Sequence, residues 1–164
     1  MATRIHARNS LMATAFLLAT TAFAAGPPTA TVEVTGWILV EDLDMADAFV
    51  AVEVNGTSTT ATVTENGRFT ISLPVETEAV LRFEKPGHLP KEVVVDTRNA
   101  QDGAFDDRSR RVKFAVILEL ERRMAGLTYP GPVGSIGFDS GGGCMAVTHD
   151  RTVVPGRKQA PMVF

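Results

Sequence analysis

Residues 137–147 read Gly-Phe-Asp-Ser-Gly-Gly-Gly-Cys-Met-Ala-Val, and here the residue types could do chemistry. A serine hydroxyl next to a carboxylate, followed by glycines whose N–H groups can approach a substrate closely, is a setting for a nucleophile in acyl transfer. Such a serine needs a histidine base within hydrogen-bond reach. Apart from His6 near the start, the chain offers only His88 and His149. Ser140, His149 and Asp150 are therefore the residues around which a hydrolase site would have to form. Turn chemistry competes with that reading. Asp139-Ser140-Gly141-Gly142-Gly143 is also what a hairpin turn between Ile136-Gly137-Phe138 and Met145-Ala146-Val147 requires. The turn is the expectation adopted.

Further patterns point the same way. A trypsin-like protease places its His and Asp ahead of the Ser in the chain, whereas His149 follows Ser140. Val133-Gly134-Ser135-Ile136-Gly137 lacks the first glycine of a nucleophile elbow. Asp42, Asp44 and Asp47, with Glu53 twelfth from Asp42, approach a calcium loop but lack its central glycine, and Phe49 to Val54 reads as a strand. A solvated acidic turn is expected there. His88 and His149 have no metal-ligand spacing, and both are expected at the surface. Asn55-Gly56-Thr57 fits a glycosylation sequon, yet Asn-Gly at a hairpin explains it without sugar. The single cysteine, Cys144, allows no internal disulfide and is expected as a small buried apolar residue. No catalytic residue, metal or cofactor is expected.

The elements that would carry these residues follow a leader. Arg4, His6 and Arg8 precede an apolar run from Leu11 to Ala19, then Ala22-Phe23-Ala24-Ala25. This predicts a secretory signal peptide over 1–25. The run is too short to span ~30 Å of hydrocarbon, which takes roughly 20 apolar residues, and no later segment is long and apolar enough. Loss of Arg4 and Arg8 takes the basic count from 16 to 14 against 19 acidic residues, a net charge of −5. That balance argues against a nucleic-acid partner. The remaining length suits one domain.

Beyond Pro27-Pro28 the hydrophobic period is two. Thr31 to Thr35 alternate strictly, Gly36 permits a kink or bulge, and Trp37 to Val40 continue apolar. Val50, Val52 and Val54 make the next inward face, ended by Asn55-Gly56, a hairpin signal. Thr57 to Thr64 is threonine-rich, suited to a pleated, partly wet surface. Glu65-Asn66-Gly67 turns the chain into Phe69, Ile71 and Leu73, and Pro74 ends that strand. Ala79, Leu81 and Phe83 face inward, Lys85 to His88 turn, and Val93 and Val95 follow. Thr97 to Arg111, with seven charged residues, reads as a long polar loop. Val112, Phe114, Val116, Leu118 and Leu120 form the last strong alternating strand. No segment holds a helical period. Seven strands between residues 30 and 122 predict an all-β sandwich, with a barrel as the alternative closure.

Four stretches in this order resemble a known family. They are Val34-Thr35-Gly36, Ala48 to Val54, Thr64-Glu65-Asn66-Gly67-Arg68-Phe69 with Ile71 to Pro74, and Leu81-Arg82-Phe83-Glu84-Lys85-Pro86-Gly87-His88. Together they resemble the carboxypeptidase regulatory-like domains, small transthyretin-like (prealbumin-like) sandwiches of bacterial secreted and surface proteins. The resemblance covers residues 31–96. Lys91 to Asn99, Phe114 to Glu119 and Pro132 to Phe138 extend it toward a subgroup of single-domain exported proteins. His88 departs from the tyrosine usual at its position. The resemblance implies a mostly non-catalytic sandwich offering binding loops or free strand edges. The transthyretin-like 5-hydroxyisourate hydrolases carry a Tyr-Arg-Gly-Ser motif that is absent, since Tyr129 is followed by Pro130.

The expected fold is a seven-stranded Greek-key prealbumin-like β-sandwich over 26–123. The expected extension over 124–164 is rich in Gly and Pro and carries a short hairpin, with no pattern that predicts order from Arg151 to Phe164. The expected function is that of a non-catalytic exported accessory module of the bacterial cell envelope, periplasmic or at the cell surface. It would bind a protein or glycan through loops or a free sheet edge, Thr57–Thr64 being the candidate edge. The alternatives are an envelope component that packs against copies of itself and the hydrolase near Ser140 and His149.

Overall fold

A computed structural model describes residues 30–41, 43–101, 110–141 and 145–156. The expected leader, Asp42, Cys144 and the last eight residues lie outside these spans. Eleven strands follow in chain order: β1 (Thr31–Leu39), β2 (Phe49–Val54), β3 (Thr57–Thr62), β4 (Arg68–Pro74), β5 (Glu78–Glu84), β6 (Lys91–Asp96), β7 (Arg110–Ile117), β8 (Leu127–Thr128), β9 (Gly134–Phe138), β10 (Met145–His149) and β11 (Val154–Pro155). A single 3₁₀ turn, Glu121–Arg123, is the helical element among the described residues. No helix among them is long and apolar enough to cross a membrane.

The strands form an all-β sandwich. One sheet has the order β4-β1-β7, the other β10-β9-β6-β5-β2-β3, and β8 pairs with β11 in a small ribbon. β2 and β3 form a hairpin, the chain crosses to β4, returns to the β5–β6 hairpin and crosses again to β7. That path is the expected seven-stranded Greek key. The β9–β10 hairpin is the expected extension, and it adds to the larger sheet through a parallel pairing of β9 with β6.

Period-two patterning becomes a shared core. Val32, Val34 and Ile38 of β1, Phe69, Ile71 and Leu73 of β4, and Val112 and Val116 of β7 meet Val50, Leu81, Phe83, Val95 and Ile136 of the other sheet. Phe69, Phe83 and Phe114 join the sheets, with ring centroids 5.3 to 6.0 Å apart in tilted and edge-on contacts. Such aromatic pairs add to the area they bury.

Turn residues act where expected. Asn55 and Gly56 both have positive φ, 50° and 75°, as a type I′ hairpin demands. Gly67, at φ 74°, donates its N–H to the Thr64 carbonyl and accepts from Ile38 N–H at 2.8 Å.

Four details differ from the sequence reading. Gly36 does not break β1, which pairs continuously with β4 and β7 through it. The glycine is needed for room: a Cβ there would collide with the Phe114 carbonyl and lie 2.7 Å from Cζ of Phe69. The polar stretch after β6 begins as packed structure, with Thr97 and Ala100 fully buried. His88 is buried, 7% exposed, with its Nδ1 3.1 Å from the Pro86 carbonyl. Its backbone bridges to Leu120. Val154–Pro155, in the patternless tail, pairs with Leu127–Thr128 because two short segments brought together by the fold satisfy each other's backbone groups.

Candidate functional site

The two ends of the sandwich differ. On one side the chain passes from β3 to β4 through a bridge between Val63 and Phe69, which ties the sheets together. On the other side the sheets end at different widths. The smaller sheet stops at β7, while β9 and β10 carry the larger sheet past β6. Each strand adds ~4.8 Å to a sheet. A ledge is left beside β7.

The ledge faces the core side. Val147 lies opposite Ile136 and Met145 opposite Phe138, and the two partners are buried core residues. Directly opposed residues of an antiparallel pair share a face. Val147 and Met145 thus point the way the core points, yet they are 48% and 49% exposed. Nothing from the smaller sheet reaches over them.

β7 itself is an edge, paired among the described residues only with β1. Its register fixes which peptide groups are free. Leu118 donates its N–H to the Leu39 carbonyl at 2.9 Å. Peptide groups alternate sides along a strand, so those of Ala115 and Ile117 point away from β1 toward the ledge.

Between β7 and the ledge lies a cleft of about 220 Å³. Phe114, Val116, Val133, Ile136 and Val147 supply apolar walls, and Lys91, Glu119, Tyr129, Ser135, His149 and Arg151 the polar groups. Lys91 Nζ is 2.7 Å from Glu119 Oε2 and 5.1 Å from the centre of the Tyr129 ring. The Tyr129 hydroxyl donates to Glu119 Oε2 at 3.2 Å. Burial, reinforced by the Glu119 carboxylate, holds the Tyr129 hydroxyl above its ordinary pKa, with Arg151 opposing. Ser135 Oγ and Thr148 Oγ1 pair across the hairpin at 2.6 Å.

The smaller sheet's outer face continues the apolar surface. Trp37 stands beside Ala115 and Leu39 beside Ile117 across the β1–β7 pairing. Trp37, Leu39 and Ile117 are 41%, 45% and 60% exposed. Ile117 also borders a second apolar hollow with Leu39, Leu120 and Met124.

The candidate chemistry of the sequence is not assembled. Ser140 is exposed in the turn after β9, and His149 ends β10 opposite Gly134. Phe138 and Gly134 mark the two ends of β9, four residues apart at ~3.3 Å each, so Ser140 and His149 sit at opposite ends of the hairpin. The Asp150 carboxylate accepts from Thr152 N–H at 2.9 Å, and its bonds to Thr152 lower its pKa. Glu53 lies on β2 opposite Ser58, and Asp44 accepts from Ala46 N–H in a local turn. No group of three or more potential metal ligands occurs among the described residues. Thr57–Thr62 is an edge as expected, exposed along nearly its whole length. Sequence reasoning missed the β7 edge, the outward Trp37 and Leu39, and the Lys91–Glu119–Tyr129 group. Tyr129 and Arg151 lie in stretches without periodic pattern, so nothing local signalled them.

No family model matches the chain, and no curated protein matches it. Among solved structures, the chain is similar to an N-terminal interface mutant of a type II cohesin–X-dockerin complex from Acetivibrio cellulolyticus, at 16% identity and a TM-score of 0.38 over 54% of this chain and 58% of that one. It is likewise similar to the C-terminal interface mutant of that complex, at 16% identity and a TM-score of 0.36 over 53% and 56%. The match spans just over half the length of those chains.

Proposed function

We propose that this chain is a non-catalytic, exported accessory module of the bacterial cell envelope, of the carboxypeptidase regulatory-like class, and that it binds a protein partner along its open side. The observation that carries the reading is the unpaired β7 edge beside Val147 and Met145, core-facing yet half exposed. A strand edge supplies backbone hydrogen bonds, and the uncovered ledge supplies apolar area, which are the two components of strand-mediated recognition. The expected leader over 1–25 supports export.

The test is in-cell photocrosslinking of the tagged full chain. A photoreactive residue at Ile117 should capture one dominant envelope protein, and the same residue at Thr59 on β3 should not. Capture from neither position would defeat the reading. A second reading, a structural component that packs against copies of itself, draws on the exposed face of Trp37, Leu39 and Ile117. Light scattering that gives a multiple of the monomer mass would favour it.

A further inference from the structure

The open side has a shape that selects its occupant. Resting on the binding-module reading above, we infer that the β7 edge takes up one extended segment of a partner, alternating apolar and acidic residues, as a fourth strand of the smaller sheet.

The width of the ledge argues for one segment. Ile136 and Phe138 of β9 are buried, whereas Met145 and Val147 of the next strand, β10, are half exposed, so the uncovered width is that of one strand, ~4.8 Å. A strand laid beside β7 would cover Val147 and Met145 and complete the sandwich over them. Pairing the β7 edges of two copies would instead drive both β9–β10 hairpins into the same space.

The register argues for alternation. The free peptide groups of Ala115 and Ile117 can pair with the added backbone. Every second side chain of that segment would then point down onto Val147 and Ile136 and into the cleft, which favours apolar residues. The side chains between would lie on the outer face beside Lys113 and Ile117.

Charge argues for acidic residues at those outer positions. Arg111 is paired with Glu33, and Lys91 with Glu119. Lys113 on β7 and Arg151 on the cleft rim have no ion-pair partner among the described residues. Acidic residues at those outer positions meet Lys113, and Arg151, which lines the cleft, adds to the positive charge beside the ledge. The chain's own end, with Arg157 and Lys158, carries the wrong sign. Electrostatic complementarity of this kind sets preference between segments of similar shape.

The test uses the ¹⁵N-labelled full chain and a synthetic peptide of about eight residues, a common strand length, alternating valine and aspartate. The expected result is binding that shifts the amides of Ala115 and Ile117 and slows their exchange. The same peptide N-methylated at alternate residues should not bind, since it cannot pair. A valine–lysine peptide should bind about tenfold more weakly, and Lys113→Glu with Arg151→Glu should reverse that order. Shifts confined to Thr57–Thr62 would overturn this inference and leave the binding-module reading standing. Exchange at Ala115 and Ile117 that is already slow, and that accelerates on shortening the chain after Gly156, would assign the edge to the chain's own end and overturn it. Slow exchange with a dimeric mass would assign it to a second copy, with the same consequence. If the peptide fails while Ile117 still crosslinks a partner in cells, the inference falls alone; if both fail, the reading beneath it falls too.

Discussion

Gly36 shows how a single residue type can be dictated by its neighbours. β1 runs between β4 and β7 with the Phe69 ring and the Phe114 carbonyl closing on the same Cα. A methyl group there must displace backbone, and overpacking of this kind costs about 1–3 kcal/mol. Gly36→Ala should therefore lower the denaturant midpoint with an unchanged slope. A midpoint equal to that of the parent would contradict the packing described. Tyr129 offers a second residue-scale test because it is the chain's one tyrosine, so its ionisation can be followed by absorbance alone. Burial and Glu119 raise its pKa, and the phenolate should appear above the ordinary value of about 10. Glu119→Gln should bring the midpoint down without reaching that value, since burial, the larger cause, remains. A midpoint at the ordinary value in the parent would place the ring in solvent and open the base of the cleft.

At the scale of elements, the corner between β4, β5 and β6 is held by threonine hydroxyls. Thr97 Oγ1 accepts from Thr77 N–H at 2.9 Å and lies 2.8 Å from both the Pro74 and Thr77 carbonyls, which share its single hydrogen. Thr97→Val keeps the shape but leaves the Thr77 N–H without its acceptor, while the Pro74 carbonyl still accepts from Thr77 Oγ1 and the Thr77 carbonyl from Thr97 N–H, a cost of about 1–3 kcal/mol. Thermal unfolding of the variant checks it, and an unchanged midpoint would mean water replaces the hydroxyl. The end of β6 carries a pH-dependent contribution. The side-chain hydrogen bond from Arg98 is the main cause that lowers the Asp96 pKa. A lowered folded pKa stabilises above the unfolded carboxylate value of about 4 and loses that contribution as pH falls through the folded value. Arg98→Ala should thus melt below the parent at pH 7, and the gap should close as pH falls through the lowered folded value. A gap that persists in acid would show that Arg98 acts through packing.

For the whole molecule, the difference in sheet width separates residues that hold the fold from residues that await a partner. Leu81 is fully buried, and Leu81→Ala should cost about 2–5 kcal/mol. Val147 has the same orientation toward the core but no cover, so Val147→Ser should change stability by less than about 0.5 kcal/mol. The two melting temperatures, measured side by side, check this. A large loss for Val147→Ser would show that the ledge is already covered in the isolated chain. On the other side, where Val63 bridges to Phe69, the core-facing positions of β3 that stay exposed are threonines, Thr57 and Thr59, opposite Val54 and Val52, and they offer a partner little apolar area. This asymmetry is why the β7 edge, and not the threonine-rich β3, carries the functional proposal.

Much of the fold was legible because it is written locally. Strict alternation in Thr31–Thr35, Phe69–Leu73 and Ala79–Phe83 demands strands with one buried face. Asn55-Gly56 demands a type I′ turn because few other pairs accept positive φ twice. The glycines after Asp139 read as a turn, and Ser140 stands in one. What stayed hidden depends on residues far apart in sequence. β1 and β7 lie side by side although Val32 and Arg110, which pair, are separated by most of the domain. Period two assigns Trp37 and Leu39 to one face of a strand and Ile38 to the other, but not which face the second sheet covers. It marks Val147 as apolar, but not that the smaller sheet ends one strand short of it. By itself the sequence determined the strands, their turns and the sandwich. Only the tertiary structure decided which edge stays unpaired and which core-facing residues stay open, because those depend on the relative widths of two sheets assembled from distant segments.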